Sequence, residues 1–103
     1  MELLLKPANG MVLLEIPKVT SNILTPTNNS KGVIEAAQSK GDGVKIIGVS
    51  ETSMYSVGDY VFFSGDYARV SAKFRNAQGT IVREDVYLLA EGSISAYYEA
   101  GTI

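Results

Sequence analysis

Short apolar segments bounded by turn residues occupy most of this chain, and they constrain its fold more than any other feature. One of them, residues 67–74, alternates apolar and polar residues, which is the pattern of a strand with one buried face. No segment of helix length carries a helical repeat of apolar residues. The candidate strands are 11–16, 32–37, 44–49, 60–63, 67–74, 80–83, 86–90 and 94–98. The sequence therefore predicts an all-β fold.

Glycine, asparagine and aspartate lie between these segments, as they do between the strands of β-sandwiches and β-barrels. The chain has 103 residues, which is a usual size for one domain. Closing a sheet into a barrel removes the free edges through which strands aggregate. We therefore expect a single domain over residues 1–103, folded as a small, partly closed β-barrel.

The chain contains no histidine, no cysteine and no tryptophan. Their absence excludes Ser-His-Asp and Cys-His nucleophilic sites, cysteine redox chemistry, and the nitrogen and sulfur ligands that zinc and copper prefer. Glu84 and Asp85 are the only adjacent acids, and we expect them in a solvated turn rather than in a catalytic dyad. The sequence predicts no catalytic residue, no cofactor and no metal ligand, and hence a protein that is not an enzyme.

The charge pattern bears on possible partners. Nine basic and eleven acidic residues give a net charge of −2, and the basic residues are spaced singly from Lys6 to Arg83. A nucleic-acid-binding protein usually concentrates its basic residues. The opening residues 1–6 contain an acid and an apolar run too short for a signal peptide, and no run approaches the length of a membrane span. We expect a cytoplasmic protein that binds neither nucleic acid nor a membrane.

Residues 17–31 interrupt the strand pattern. They include two prolines and many Thr, Ser and Asn residues, with few large aliphatic side chains. Such a segment cannot offset its own ordering entropy, and a long structureless loop in a small domain is usually functional. We expect a mobile, functional loop that carries the adjacent aliphatic residues Ile23 and Leu24. The alternative is that these two residues fold back onto the body of the domain.

The order of motifs resembles the GroES-type co-chaperonin family along nearly the whole chain. Residues 57–63, Val-Gly-Asp-Tyr-Val-Phe-Phe, are similar to the family's Val-Gly-Asp-x-Val-x-Phe signature and form the sharpest single match. The other similar segments are 6–7, 11–14, 22–26, 32–36, 64–70, 84–89 and 93–97. Ser21 and Asn22 stand where the family commonly has glycine. These features suggest a divergent member, of the kind that a bacterial virus encodes and that works in the host cytoplasm.

The resemblance implies a lid for a GroEL-type chaperonin. In that family, subunits form a ring, usually a heptamer, and each hangs a mobile loop towards the chaperonin to enclose client proteins for ATP-dependent folding. The residues that match the chaperonin-binding part of this loop are Asn22, Ile23, Leu24 and Thr25. Residues 38–56 match the position of a roof-like excursion. The implied partners are a GroEL-type chaperonin and other copies of this chain.

The resemblance also assigns a subunit interface. In the family, the first strand of one subunit pairs with the last strand of its neighbour. In the N-terminal strand, the matching residues are Leu3, Leu4 and Leu5. In the C-terminal strand they are Ile94, Ala96 and Tyr98, which we expect to lie on one face of the strand. A leucine-rich edge left unpaired would promote aggregation, which favours this pairing. The alternative is that both ends of the chain pair within one subunit.

Other functions remain open at the level of sequence. A structural or assembly β-barrel protein of a phage particle would share the self-association but would not need an apolar-tipped loop. An oligonucleotide-binding barrel is disfavoured by the acidic balance of the chain. An enzyme that uses carboxylates and Mg²⁺ is a third alternative.

Overall fold

The computed structural model describes residues 1–16, 41 and 43–101. These residues form seven β-strands and one short 3₁₀ helix, Glu91–Ser93. The strands are β1 (Glu2–Leu3), β2 (Met11–Leu14), β3 (Val44–Val49), β4 (Tyr60–Phe63), β5 (Ala68–Arg75), β6 (Ile81–Ala90) and β7 (Ile94–Tyr98). The described part of the chain contains no α-helix. The prediction of an all-β fold is confirmed.

All seven strands belong to one antiparallel sheet, in the order β1-β5-β6-β2-β3-β4-β7. The first strand of the chain lies at one end of this order and the last strand at the other. Within the described residues β1 and β7 do not pair, so the sheet is not closed into a barrel. The predicted partial closure is therefore wrong for this part of the chain, and the edges that closure would have removed are still present.

A single long strand, β6, replaces two predicted strands and the turn between them. Every residue of β5 from Ala68 to Arg75 has a partner in β6, and this ladder runs straight through Glu84 and Asp85. Both acids are exposed. Their prediction as a turn is wrong because the regular pairing with β5 holds these two polar residues in an extended strand.

The sheet is buried on both faces at its centre. In β2, Val12 and Leu14 belong to one apolar cluster, whereas Leu13 belongs to another on the opposite face. The first cluster contains Val12, Leu14, Val44, Ile46, Val61, Phe63, Tyr87 and Leu89. The second contains Leu13, Ala72, Phe74 and Val86. Each large aliphatic side chain in these clusters stabilises the fold by about 1.5–3 kcal/mol.

The strand β3 lies between β2 and β4 in the body of the sheet. Val44 and Ile46 are fully buried there. The described part of residues 38–56 thus includes one strand of the sheet, β3. A roof over an assembled ring remains a prediction.

The Val-Gly-Asp motif forms a turn that joins β3, β4 and the end of the chain. Gly58 has a φ of +99°, a conformation that favours glycine, and its N–H donates to the Ile46 carbonyl at 2.9 Å. Asp59 is 4% exposed, and its two carboxylate oxygens accept the N–H groups of Ser56 at 2.9 Å and Ala100 at 2.8 Å. The motif thereby anchors the residues that follow β7.

Candidate assembly interface

The β1 end of the sheet is short and aliphatic. Its two residues pair with β5, Glu2 with Arg75 and Leu3 with Phe74. The Leu4 N–H extends this pairing by donating to the Lys73 carbonyl at 2.9 Å. No strand of the described residues pairs with the other side of β1. The outer backbone groups of β1 are therefore an edge to which another strand can add.

The three leucines predicted for the interface have different surroundings. Leu3 packs against the second apolar cluster and lies close to the backbone of Gly48, where a Cβ would come within 3.3 Å of the Leu3 Cδ2. Leu4 is half-buried, and Leu5 is 40% exposed. Met1 at the same end is 67% exposed. Leu3 thus holds β1 on the sheet, while Leu5 and Met1 offer apolar surface to a partner.

The β7 end is longer and aromatic. The strand pairs with β4 in four register positions, and the register shifts between Phe62 and Phe63. Ile94 lies opposite Phe63 and packs against the first apolar cluster. Ala96 and Tyr98 lie opposite Phe62 and Tyr60 instead. The expectation that Ile94, Ala96 and Tyr98 share one face is wrong, because the bulge moves Ile94 to the core side.

Two tyrosines of β7 point to opposite faces of the sheet edge. The Tyr98 ring contacts Phe62 edge-to-face at 5.8 Å between centroids, and the Tyr97 ring contacts Tyr55 at 5.0 Å. Each of the two β7 tyrosines is nevertheless 42% exposed. Edge-to-face contacts fix the ring positions without covering them. The β7 edge therefore presents two ordered aromatic surfaces, of which the sequence predicted only Tyr98.

Hydrogen bonds of Ser53 hold the loop that carries Tyr55, whose ring packs against Tyr97. The Ser53 hydroxyl donates to the Glu91 carboxylate at 2.9 Å and accepts the Tyr55 N–H at 3.1 Å. Burial raises the pKa of Tyr55, with smaller contributions from the nearby Glu91 carboxylate and from Tyr97. The phenol therefore stays neutral over the physiological range. Alternation alone could have indicated Tyr97, but its contact with Tyr55 depends on a long-range loop position.

The residues predicted to bind a chaperonin, Asn22, Ile23, Leu24 and Thr25, lie outside the described residues, as does the rest of the predicted loop at 17–31. The structure brings the other predicted residues to two opposite sheet ends, with Leu3, Leu4 and Leu5 at one end and Ile94, Ala96 and Tyr98 at the other.

Among the described residues, no His, Cys, Asp or Glu cluster of three or more is arranged to hold a metal ion. The same part of the chain contains no helix that is both long and apolar enough to traverse a lipid bilayer. Comparisons of the chain with protein-family models, with curated protein sequences and with solved structures found no significant match.

Proposed function

We propose that this protein is a co-chaperonin that caps a GroEL-type chaperonin ring in the cytoplasm. In this proposal, copies of the chain join through β1 and β7 into a closed ring, and each copy contributes one loop for chaperonin binding. The motif order in the sequence supports the family, and residues 22–25 are the part of the loop proposed to make contact. In this proposal, the chaperonin and not this chain hydrolyses ATP.

One observation carries the assembly part of this proposal: β1 and β7 are the two ends of a single sheet, and no described strand pairs with either outer edge. Joining the β1 edge of one copy to the β7 edge of the next is a head-to-tail contact. Such contacts generate closed rings when the rotation between copies closes, and filaments when it does not. The alternative in which the two chain ends pair within one subunit has no support in this strand order.

The capping part of the proposal is supported by the small binding free energy expected for each single loop. Burying Ile23 and Leu24 in an apolar groove would contribute about 1.5–3 kcal/mol each. Ordering the loop around them costs about 1–2 kcal/mol per residue. One loop alone would bind weakly, whereas loops held in one ring bind together through their high effective concentration. The ring as a whole then binds tightly, but each loop can dissociate, as repeated capping and release of the chaperonin require.

The test is to mix the purified protein with a GroEL-type chaperonin and nucleotide and to look for capped complexes by electron microscopy. We expect nucleotide-dependent caps from the natural chain and none from Ile23→Ser with Leu24→Ser, which should still form rings. A matched control is Met54→Ser with Val57→Ser, since these apolar side chains are 75% and 57% exposed but lie outside the loop. The control should cap normally.

Three results would count against this proposal. Rings that never cap any GroEL-type chaperonin would leave a structural or assembly protein of a phage particle as the better function. Loss of ring formation in the Ile23→Ser, Leu24→Ser variant would mean that the two residues belong to the core or to the subunit interface. Equal loss of capping in the Met54→Ser, Val57→Ser control would remove the specific role of the loop.

A further inference from the structure

Basic residues that are far apart in the sequence share one face of β5 and β6. On the face opposite the second apolar cluster, the cross-strand pairs are Arg69–Tyr87, Ser71–Asp85, Lys73–Arg83 and Arg75–Ile81. Because alternate residues of a strand point to the same face, β5 places three basic residues there and β6 adds a fourth. This face therefore carries four of the nine basic residues of a chain whose net charge is −2.

The four cations are not equivalent. Arg69 forms an ion pair with Asp85 at 2.8 Å, and Arg75 forms a longer one with Glu2 at 3.4 Å. Lys73 and Arg83 face each other across the two strands, and neither forms an ion pair with an acid of the described residues. Both are exposed.

Like charges directly opposite each other in a sheet are destabilising. The pair formed by Lys73 and Arg83 is therefore not explained by the stability of this hairpin. An external carboxylate or phosphate placed between the two side chains would convert the repulsion into two favourable ion pairs. The arrangement thus has the charge of an anion-binding surface.

The surroundings of this pair favour a protein partner over a nucleic acid. Ile81, on the same face and in the next cross-strand pair, is 46% exposed, and protein interfaces combine apolar surface with arginine. A nucleic acid gains affinity from many phosphate contacts, whereas among the described residues of this face only two cations lack an acidic partner.

We propose that the surface formed by Lys73, Arg75, Ile81 and Arg83 docks an acidic segment of another protein. Carboxylates of the partner occupy the position between Lys73 and Arg83, and an apolar side chain beside them covers Ile81. This surface consists of β5 and β6 residues and includes none of β7 or of residues 17–31, so its proposed role does not depend on chaperonin binding. Rim charges of this kind mainly steer association and set its salt dependence.

The experiment measures binding of the full chain to a fluorescein-labelled peptide in which glutamates flank a leucine pair, by fluorescence anisotropy at low ionic strength. Lys73→Gln with Arg83→Gln should weaken binding by about fivefold or more, because two exposed ion pairs are lost. Lys6→Gln with Lys45→Gln removes the same charge elsewhere and should change the dissociation constant by less than about twofold. Lys73→Arg with Arg83→Lys keeps both charges and should retain binding.

Several outcomes would overturn the proposal. These are absence of peptide binding by the natural chain, equal weakening in the Lys6→Gln, Lys45→Gln control, or tighter binding of a single-stranded oligonucleotide that depends on Lys73 and Arg83. Sedimentation of the same variants provides a separate check. If Lys73→Gln with Arg83→Gln disrupts self-association, the acidic partner is a second copy of this chain and not another protein.

Discussion

The two ends of the sheet differ in how many backbone and side-chain contacts each makes within a single chain. At one end, β1 pairs through only two residues and carries aliphatic side chains, of which Leu5 is 40% exposed. At the other end, β7 pairs through four register positions, and its tyrosine rings are fixed by edge-to-face contacts. The β7 end is therefore a preformed platform, whereas the β1 end offers a short strand that a partner would extend.

The two ends also differ in the interactions that stabilise them. The β7 end is anchored by long-range bonds, since Asp59 ties the residues after β7 to the turn before β4. The β1 end depends on one packed leucine and a few backbone bonds to β5. Preorganisation lowers the entropic cost of binding, so the ordered end should contribute specificity.

The largest expected effect is the loss of the anchor at the β7 end. Asp59→Ala removes a buried carboxylate and leaves two backbone N–H groups without their acceptor. We expect the free energy of unfolding to fall by about 2–3 kcal/mol, measured by urea denaturation at fixed protein concentration. Asp66→Ala, at an exposed acid, is the control and should cost little. Similar losses in both variants would contradict the proposed anchoring role.

The next effect separates assembly from folding at the same end. Tyr98→Lys places a charge on the exposed part of the β7 platform, so we expect the association between copies to weaken by at least about tenfold. The stability of the single chain should change little because the side chain is 42% exposed. Sedimentation equilibrium measures the association. Met54→Lys introduces the same charge at a 75% exposed loop position, and an equal loss there would remove the special role of β7.

A smaller effect concerns the pair of like charges on the β5–β6 face. Arg83→Glu replaces repulsion with attraction towards Lys73, and we expect it to raise the free energy of unfolding by about 0.2–1 kcal/mol. Arg83→Gln only removes the repulsion and should give a smaller gain. A decrease in stability for both variants, measured by urea denaturation, would show that Lys73 and Arg83 do not repel each other in the folded chain.

The smallest effect is a pH dependence at the β7 end. Burial raises the pKa of Tyr55 in the folded state, so the folded chain holds this proton at pH values where the unfolded chain has released it. Stability from this group is present below the unfolded pKa of about 10 and is lost as the pH rises above it. Urea midpoints should fall more between pH 9 and 11 for the natural chain than for Tyr55→Phe. Equal falls would mean that Tyr55 does not contribute.

Local pattern was sufficient to predict several elements. The bounds of β3, β4 and β7 agree with the predicted strands, and Gly58 with Asp59 forms the expected turn. Each of these elements has its own apolar alternation or turn chemistry, which is visible without knowledge of its partners. The all-β class follows from the same local signals.

The errors concern pairing between distant segments. The continuity of β6 depends on its ladder with β5, and the face of Ile94 depends on a bulge opposite Phe62 and Phe63. The open sheet likewise depends on which strands become neighbours. Lys73 and Arg83 looked isolated in the sequence because their proximity arises only from the cross-strand register. None of these features has a local signal.

The most direct test of the central claim, that β1 of one copy meets β7 of the next, uses the absence of cysteine from the natural chain. Leu5→Cys and Tyr98→Cys are prepared as separate chains, mixed, and treated with a short bismaleimide cross-linker. We predict covalent dimers from the mixture and almost none from either chain alone. Dimers formed equally well by either single variant, or none from the mixture, would contradict head-to-tail assembly through these two edges.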